Sequence, residues 1–455
     1  MSHIESLLIA FGDVAWGPWL LVLLLGGGIY FIILSRFIPF RYLGHSLALL
    51  SGKYEDGGPG EITHFQALSS ALAGTIGMGN IAGVAVAITI GGPGAIFWMW
   101  ITAVLGITTK FFTCTLAVMY RGKDSAGELQ GGPMYVIVEG LGPKFRPLAT
   151  FFCLAGMIGC LPLFQTNQLV QTIREVIFIE QGWIDASQAT EFNLITGILL
   201  ATLVAAIIFG GLHRIAAVAA RLVPTMTLLY IGFAAYVILT NFSEVPFYLA
   251  LIVEDAFTGM AVAGGAIGTV IATGVRRGAF SNEAGMGTEA MAHGAAKTGE
   301  PVREGLVAML GPIIDTLIIC TATALIILMT GVWHDQSANG VTLTSQAFEA
   351  AMPGIGRYVL ITCVFFFSVS TMLSYSYYGS KCLSFLVGAH RKHYYNYVIV
   401  VMIVVGSLLS LDAMVGLVDG AFALMAIPTM VSTILLAPRV MTAAREYFVK
   451  LEKAP

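Results

Sequence analysis

The sequence predicts an all-α integral membrane protein with eleven transmembrane helices. Hydrophobic residues make up 57% of the 455-residue chain and charged residues only 11%, against about 25% charged residues in an ordinary soluble domain. Windows of about 20 apolar residues, the length that crosses a bilayer, recur along the whole chain. The stretches between them are of loop length, so residues 1–455 are expected to form a single membrane domain.

The apolar windows of membrane length define the predicted helices. The first follows an acidic N-terminus without Lys or Arg, so we expect a membrane span there and not a cleaved signal peptide. The last is followed by a basic tail, residues 438–455. The predicted helices are 14–35, 64–91, 94–120, 146–178, 192–211, 214–240, 246–275, 302–331, 357–388, 394–411 and 413–437.

The positive charges predict how the chain is oriented in the membrane. With the N-terminus outside, the cytoplasmic loops and the tail hold all Lys and Arg residues except Lys110, Arg174 and Arg357. Cytoplasmic loops of membrane proteins carry such an excess of positive charge. We therefore expect a multi-pass protein of a bacterial-type inner (plasma) membrane, with its C-terminus in the cytoplasm.

The composition disfavours several classes of function. The six cysteines lie in hydrophobic segments or at their inner ends, so neither disulfides nor a metal cluster is expected. The net charge of −3, with no basic face, argues against a nucleic-acid partner. The sequence has no Walker motif, which argues against ATP as the energy source. The lipid bilayer is the expected surrounding, and no obligate protein partner is implied.

The second predicted helix, 64–91, is interrupted in its middle by Gly74-Thr75-Ile76-Gly77-Met78-Gly79-Asn80. Each glycine costs a helix roughly 1 kcal/mol relative to alanine. A break at bilayer depth persists only where it is buried in protein or lines a cavity. The start of the second half-helix then favours an anion, and the unwound carbonyls favour a cation. This pattern is typical of an ion-coupled carrier for a small zwitterion.

A second interruption is predicted five helices later. Residues 71–74 read ALAG and residues 261–264 read AVAG, and each opens a glycine-rich stretch. A repeat of five helices inserts with inverted topology, which predicts two inverted halves, 64–240 and 246–437, after an extra N-terminal helix. Close packing of small residues between helices is the alternative explanation of both stretches.

Longer motifs carry a family resemblance. They are Gly77-x-Gly79-Asn80-Ile81-Ala82-Gly83-Val84-Ala85, the run from Gly91 to Trp100, Gly131-Gly132-Pro133-Met134-Tyr135, and the run from Arg277 to Gly287. From about residue 14 to 450 the chain resembles the alanine or glycine:cation symporter family (sodium:alanine symporters). The resemblance implies uptake of alanine or glycine coupled to Na⁺. It also implies a leucine-transporter-type five-plus-five inverted repeat with one extra N-terminal helix.

The chain departs from the family pattern at four positions. Met78 stands where threonine is common, Tyr375 where tryptophan is usual, and Ser380 where an acid usually follows Tyr-Tyr-Gly. Gly311 stands in place of the glutamate of Met-Leu-Glu-Pro. Because Met78 and Tyr375 are large and fall where substrate contacts are expected, we predict a pocket that accepts two- or three-carbon amino acids and rejects leucine.

The predicted substrate site holds a small zwitterionic amino acid. Backbone N–H groups at the first break suit its carboxylate, and unwound carbonyls at the second suit its ammonium. The family resemblance adds Gln165 and Asn167 as pocket-facing; the alternative is that these amides only bond neighbouring helices. The predicted substrate-binding residues are Thr75, Gly77, Met78, Gly79, Gln165, Asn167, Gly264, Gly265, Ala266, Val270 and Tyr375.

The family resemblance also implies a sodium site between the first break and the helix at 357–388. Na⁺ is the expected co-transported ion, and no organic cofactor is expected. The predicted ligands are the carbonyls of Ala73, Ile76 and Phe367 and the hydroxyls of Ser370 and Thr371. The alternative is that these hydroxyls only bond the carbonyl one turn earlier. Asn80 is a candidate ligand of a second ion or of the substrate.

Two alternative functions are weighed. An intramembrane enzyme needs a nucleophile beside a base, or a set of metal ligands, within the helices. The eight histidines lie almost all at segment ends or in loops, so no catalytic residue is predicted. Within the transporter class, the alternative is a proton-coupled or exchange-type small amino-acid carrier of the same fold.

Two charges are predicted at bilayer depth. Lys110 and Asp315 lie about 15 and 20 Å from the inner ends of their helices, at 1.5 Å per residue, and charges at such depth are usually paired. We therefore predict a Lys110–Asp315 ion pair. The alternatives are that Lys110 extends to the surface, or that Asp315 bonds hydroxyls such as that of Thr316. Residues 276–283 are predicted to be a cytoplasmic loop that anchors the chain or gates the inner exit.

Overall fold

The computed structural model describes residues 3–54, 57–258, 267–334, 338, 340–409 and 411–453. These residues are almost entirely helical. The strands named among them are the two-residue segments Gly122–Lys123 (β1) and Leu129–Gln130 (β2), which pair antiparallel. The predicted all-α fold class is therefore confirmed.

In the half of the chain up to Thr240, the first predicted span is two helices that together form one apolar run, Ser6–Ser35. The α-helices here are α1 His3–Ala15, α2 Pro18–Ser35, α3 Ile38–Arg41, α4 Leu43–Leu50, α5 His64–Thr75, α6 Val84–Gly91, α7 Gly94–Met119, α8 Pro133–Tyr135, α9 Arg146–Gly159, α10 Leu163–Ile173, α11 Ala189–Ile208 and α12 Gly211–Thr240.

The described part of the chain after Thr240 is also mainly helical. Its α-helices are α13 Val245–Thr258, α14 Ile267–Asn282, α15 Thr288–His293, α16 Pro301–Ala308, α17 Leu310–Pro312, α18 Thr321–Met329, α19 Val341–Ala351, α20 Gly356–Val387, α21 Tyr394–Leu408 and α22 Leu411–Lys453. π-helical segments lie at Gly79–Gly83, Val136–Leu141, Arg174–Ile179 and Ile313–Cys320, and 3-10 turns at Pro143–Phe145, Ala186–Gln188, Val332–His334 and Ala389–Arg391.

Eight helices in the described ranges are long and apolar enough to cross a membrane, or nine if α5 and α6 count as one broken span. The prediction of eleven is not confirmed. α21 has only 15 residues, short of the roughly 20 that span a bilayer. The membrane-length windows of α7 and α20 are 89% and 83% buried, whereas those of α11 and α12 are 28% buried. α7 and α20 are therefore central, and α11 and α12 turn most of their surface to lipid.

The first interruption lies where the sequence predicts it. The capping box of Thr63 and Gln66 starts α5. The helix ends at Thr75, because Ile76 is extended (φ −71°, ψ 95°). The axis of the chain from Gly79 to Gly91 then turns by 53°. Gly77 allows the turn to lie close to α20, because it lacks a Cβ that would otherwise meet that helix.

The second predicted interruption falls largely outside the part of the chain that the structure describes. α13 is described as Val245–Thr258 and α14 as Ile267–Asn282, and Gly268 lies inside α14. Gly264, Gly265 and Ala266 lie outside the described residues. The chain leaves the helix after Asn282, where Glu283, Gly285 and Gly287 have φ of 56°, 85° and 93°. Left-handed backbone strongly favours glycine. We call this break after α14, which the sequence does not predict, the second break.

The same helix corrects a second prediction. Residues 276–282 are the last turns of α14 and are not a loop. The candidate site is positioned by five elements of the fold. They are the first break, α10, α14, α15 and α20.

Candidate substrate and ion site

The two breaks of the main chain approach each other closely. A Cβ placed on Gly79 would lie 3.3 Å from Ser281 Cα, at the end of α14. Ser281 Oγ donates to Asp315 Oδ2 at 2.9 Å, and Asn80 Nδ2 donates to Asp315 Oδ1 at 2.7 Å. The carboxylate of Asp315, in the π-helical segment Ile313–Cys320, therefore joins one break to the other.

Asn80 shapes the first break from within. Its Oδ1 accepts the Gly77 N–H at 2.8 Å, and its Nδ2 also donates to the Asp315 carbonyl at 3.1 Å. The Gly77 N–H, one of three donors predicted for a substrate carboxylate, is therefore already bonded. The N–H groups of Met78 and Gly79 stand at the start of the second half of the broken helix.

The second break carries a buried carboxylate, Glu283. Tyr375 on α20 donates its hydroxyl to Glu283 Oε1 at 3.0 Å, and Thr288 Oγ1 donates to Glu283 Oε2. Glu283 is 1% exposed. Glu283 is not among the residues that the sequence predicts for the site. The missed signal was the triplet Gly285-Met286-Gly287, which repeats Gly77-Met78-Gly79.

Three of the predicted sodium ligands contact one another on α20, beside the first break. Ser370 Oγ and Thr371 Oγ1 donate to the Phe367 carbonyl at 2.9 and 3.0 Å, and Thr371 Oγ1 lies 3.4 Å from the Gly74 carbonyl. A Cβ on Gly77 would be 2.6 Å from Thr371 Oγ1, so glycine allows this approach. The back-bonded hydroxyls keep lone pairs for a cation. Ala73 and Ile76, the other predicted ligands, are fully buried in the same region.

Two buried polar atoms near the breaks have no partner. Thr75 Oγ1 and Gln165 Oε1 make no hydrogen bond with any described residue. Buried polar atoms are rarely left unpaired, and each one needs an explanation such as a ligand. The hydroxyl and the amide oxygen are therefore available to a polar ligand, and the assignment of both residues to the substrate site stays a prediction.

The other predicted substrate residues differ in how close they lie to the breaks. Asn167 Nδ2 donates to the Leu409 carbonyl at 3.0 Å, so this amide bonds the α21 end, which is the alternative considered above. Val270 lies on α14, about 20 Å before Glu283 at 1.5 Å per residue. Met78 is buried at the first break, and Tyr375 is buried against the second.

Lys110 and Asp315 are both buried, but no ion pair joins them in the described chain. Asp315 is bonded by Asn80, Ser281 and Thr316, the last at 2.7 Å, so the predicted pair is wrong as a direct contact and the hydroxyl alternative describes Asp315. The Asp315 carboxylate thus accepts three hydrogen bonds from short polar side chains instead of one ion pair from Lys110. Lys110 Nζ instead lies 3.2 Å from the place of a Cβ on Gly311.

A cavity of about 690 Å³, here called the vestibule, lies beyond one side of the breaks. An aromatic series separates it from Glu283, with ring centroids 6.2 Å apart for Phe164–Phe280, 5.9 Å for Phe280–Phe422 and 6.2 Å for Tyr375–Phe422. The vestibule residues include Gly83, Val86, Phe164, Gln168, Glu175, Arg276 and Arg277.

The opposite ends of the two broken helices are held by one carboxylate. His64, the first residue of α5, bonds Glu304 Oε2 through Nδ1, and His293, the last of α15, bonds Glu304 Oε1 through Nδ1. All three side chains are buried. Arg121 lies beside them and donates to the carbonyls of Gly294 at 2.8 Å and Pro59 at 2.7 Å. This end is closed in the structure.

An all-helical chain with membrane-length helices and two facing breaks defines a membrane transporter of the interrupted-helix class. The chain belongs to the sodium:alanine symporter family, whose family model matches residues 1–454. The predicted resemblance is thereby confirmed, together with amino-acid transport by symport as the function of the family.

Several known proteins are similar to this chain over most or nearly all of their own length. An uncharacterized transporter of Haemophilus influenzae is 39% identical over 99% of this chain and 97% of its own. The sodium/alanine symporter AgcS of Methanococcus maripaludis is 38% identical over 97% of both chains. The probable sodium/glutamine symporter GlnT of Bacillus subtilis is 35% identical over 96% of this chain and 89% of its own.

The fold is also found in a solved structure. The crystal structure of MhsT in complex with L-phenylalanine has a TM-score of 0.54 and 12% identity, and the match covers 85% of this chain and 98% of that chain. A likeness at this identity shows the fold alone. It confirms the leucine-transporter-type fold predicted for this chain.

Proposed function

We propose that the protein is a sodium-coupled symporter that takes up alanine, glycine or a similar small amino acid by alternating access. The observation that carries the proposal is the meeting of the two breaks beside the hydroxyls of α20. Unwound backbone of both polarities and hydroxyl oxygens are what a zwitterion and Na⁺ need. The relatives named for sodium/alanine and sodium/glutamine symport support the same class.

The substrate lies between the breaks in this proposal. The N–H groups of Met78 and Gly79 and the Thr75 hydroxyl bind its carboxylate, as the start of a half-helix favours an anion. The unpartnered Gln165 Oε1 and the backbone carbonyls of the second break accept from its ammonium. Met78 and Tyr375 limit the space for the side chain. Gly264, Gly265 and Ala266 stay a prediction.

Na⁺ is the co-transported substrate and not a resident cofactor. Ser370 and Thr371 would supply hydroxyl oxygens, and Ala73, Ile76 and Phe367 carbonyls. The donor set suits a hard cation, because its members are all oxygens. Ser370 and Thr371 bond the Phe367 carbonyl within α20, and Thr371 Oγ1 also lies 3.4 Å from the Gly74 carbonyl of α5. An ion there ties the first break to α20 and so preforms the N–H groups for the carboxylate. This link is the proposed coupling.

The structure suits an outward-facing state, given the proposed orientation with the N-terminus outside a bacterial inner membrane. In this orientation the vestibule lies on the outer side of the breaks, and the Glu304 contacts close the inner side. Arg276 and Arg277 line the vestibule, so they would lie on the outer side and not in the cytoplasmic loop that the sequence predicts. Transport then requires the aromatic series to close over the substrate and the inner contacts to open.

Uptake of labelled alanine into proteoliposomes tests the proposal. We expect accumulation with an inward Na⁺ gradient and none when K⁺ replaces Na⁺ at the same pH. Accumulation driven equally by a proton gradient without Na⁺, or only by internal unlabelled alanine, would establish the alternative carrier types. A competition panel of glycine, serine, glutamine and leucine defines the substrate class.

A further inference from the structure

Two arginines stand on the lipid-facing side of α12. Arg214 and Arg221 are seven residues apart, so they share one face of the helix. Both are exposed, and neither guanidinium makes an ion pair or a hydrogen bond with the described residues. Charged residues within membrane helices are rare and normally face the protein interior and pair with other groups. An exposed, unpaired arginine couple on such a helix therefore needs a partner from its surroundings.

A groove joins the two arginines. It has a volume of about 540 Å³ and lies between α12 and Phe366 of α20. Its walls are Arg214, Ala217, Val218, Arg221, Leu222, Thr225 and Phe366, and no acidic residue is among them. The volume is within the range of about 300–1,000 Å³ of small-molecule sites. Cationic groups at one end of an apolar channel match a molecule with an anionic head and an apolar chain.

The depth of the two side chains supports the same match. Arg214 lies near the start of α12, and Arg221 about 15 Å into it at 1.5 Å per residue. Side chains on a helix point toward its N-terminus, so Arg221 leans back toward Arg214. Long cationic side chains near a membrane surface extend to the head-group level. Arg221 therefore lies about 10 Å farther along α12 than Arg214, and both precede Thr225 in the helix, so the basic part of the groove is toward the start of α12.

We propose that this groove binds one anionic phospholipid. Its phosphate lies between the guanidiniums of Arg214 and Arg221, which donate paired N–H groups to phosphate oxygens. One acyl chain follows Ala217, Val218 and Leu222 to Phe366. Basic pockets between membrane helices bind acidic head groups in this way. The lipid site is separate from the transport site. With the proposed orientation of the chain, the lipid belongs to the cytoplasmic leaflet, and only this assignment rests on the proposed function.

Native mass spectrometry of the purified full chain, titrated with phosphatidylglycerol, tests the proposal. Each basic side chain near the surface contributes a factor of about five in binding. We therefore expect Arg214→Gln/Arg221→Gln to bind phosphatidylglycerol about 30-fold more weakly. Arg391→Gln/Arg445→Gln removes two exposed arginines elsewhere and should bind like the unaltered chain.

Three further measurements identify the ligand. Phosphatidylcholine and soluble glycerol phosphate should each bind much more weakly than phosphatidylglycerol, because one lacks the net charge and the other the acyl chains. Ala217→Trp fills the groove with both arginines kept and should also lose the lipid. Three results would overturn the proposal. They are binding of phosphatidylcholine or glycerol phosphate as tight as that of phosphatidylglycerol, undiminished binding of phosphatidylglycerol by Ala217→Trp, and equal binding of phosphatidylglycerol by the two double variants. Circular dichroism confirms that each variant is folded.

Discussion

Asn80 Nδ2 lies 2.7 Å from Asp315 Oδ1, and through this hydrogen bond one side chain links the first break to the π-helical segment Ile313–Cys320. Its Oδ1 meanwhile holds the Gly77 N–H. The amide is suited to the task because it donates and accepts at once. The shape of the first break is thus set by a residue inside it together with a carboxylate from another helix.

Asn80→Ala should destabilise the protein and weaken alanine binding. It leaves the Gly77 N–H and Asp315 Oδ1 buried without partners, and each lost partner costs about 1–3 kcal/mol. Thermal unfolding in detergent and the KM for alanine measure the two effects. Cys320→Ala is the matched control, because Cys320 Sγ is only a weak acceptor of the same Nδ2, at 3.3 Å. Equal effects of the two substitutions would contradict the assigned role of Asn80.

Thr371→Ala should weaken the dependence of transport on Na⁺. The substitution removes one proposed ligand, and an interaction with a charged group is worth about 1.5–3 kcal/mol, so half-saturation should need at least about tenfold more Na⁺. The KM for alanine at saturating Na⁺ should change less. Ser374→Ala serves as control, since Ser374 bonds the Ser70 carbonyl at 3.0 Å but is not a proposed ligand. An unchanged Na⁺ dependence would place the ion elsewhere.

Leucine should not compete with alanine for uptake. Met78 and Tyr375 are buried at the two breaks, and extra methylenes forced into a packed site cost about 1–3 kcal/mol. Met78→Ala removes one of these side chains and should allow leucine to inhibit labelled alanine uptake. If leucine inhibits labelled alanine uptake by the unaltered protein at the same concentration as unlabelled alanine does, Met78 and Tyr375 do not limit the size of the substrate.

Gly311→Glu should give the buried Lys110 an ion-pair partner. Lys110 Nζ is 3.2 Å from the position of a Cβ on Gly311, and the family pattern commonly carries glutamate there. We expect Gly311→Glu to unfold at a higher temperature than Gly311→Ala, which adds the Cβ alone. In a double-mutant cycle with Lys110→Met, residues in direct contact typically show a coupling of about 0.5–3 kcal/mol. No coupling would mean that the two side chains do not meet.

The two breaks differ in how far the sequence predicts them. The first stood out because three glycines interrupt a long uncharged apolar segment. The second break, at Glu283, Gly285 and Gly287, is not predicted from the sequence, and the interruption predicted at Gly264 and Gly265 lies outside the described residues. The sequence there is polar and contains a glutamate, so it looks like a loop end. Only tertiary packing reveals that Glu283 is buried and bonded by Tyr375.

Side-chain partners were the least predictable feature. The sequence predicts that Lys110 and Asp315 lie within helices, and both are buried. Which group each one contacts depends on rotamers and on how neighbouring helices are rotated about their axes. Asn80 and Ser281 reach Asp315 from two other elements, and such a convergence is not encoded in spacing along the chain, whereas Thr316 is the next residue in the sequence. The hydroxyls beside Phe367 were predictable because they follow one another on a single helix.

Glu304 has two oxygens, and each is taken by a histidine from a different broken helix. If α5 alone moved away, it would strand one oxygen of a buried carboxylate, and the same holds for α15. Groups left unpaired in a dry interior are unfavourable, so the concerted departure of both half-helices is preferred over either one. A carrier built this way resists half-open intermediates, and half-open intermediates are the states through which ions would leak down their gradient without cargo.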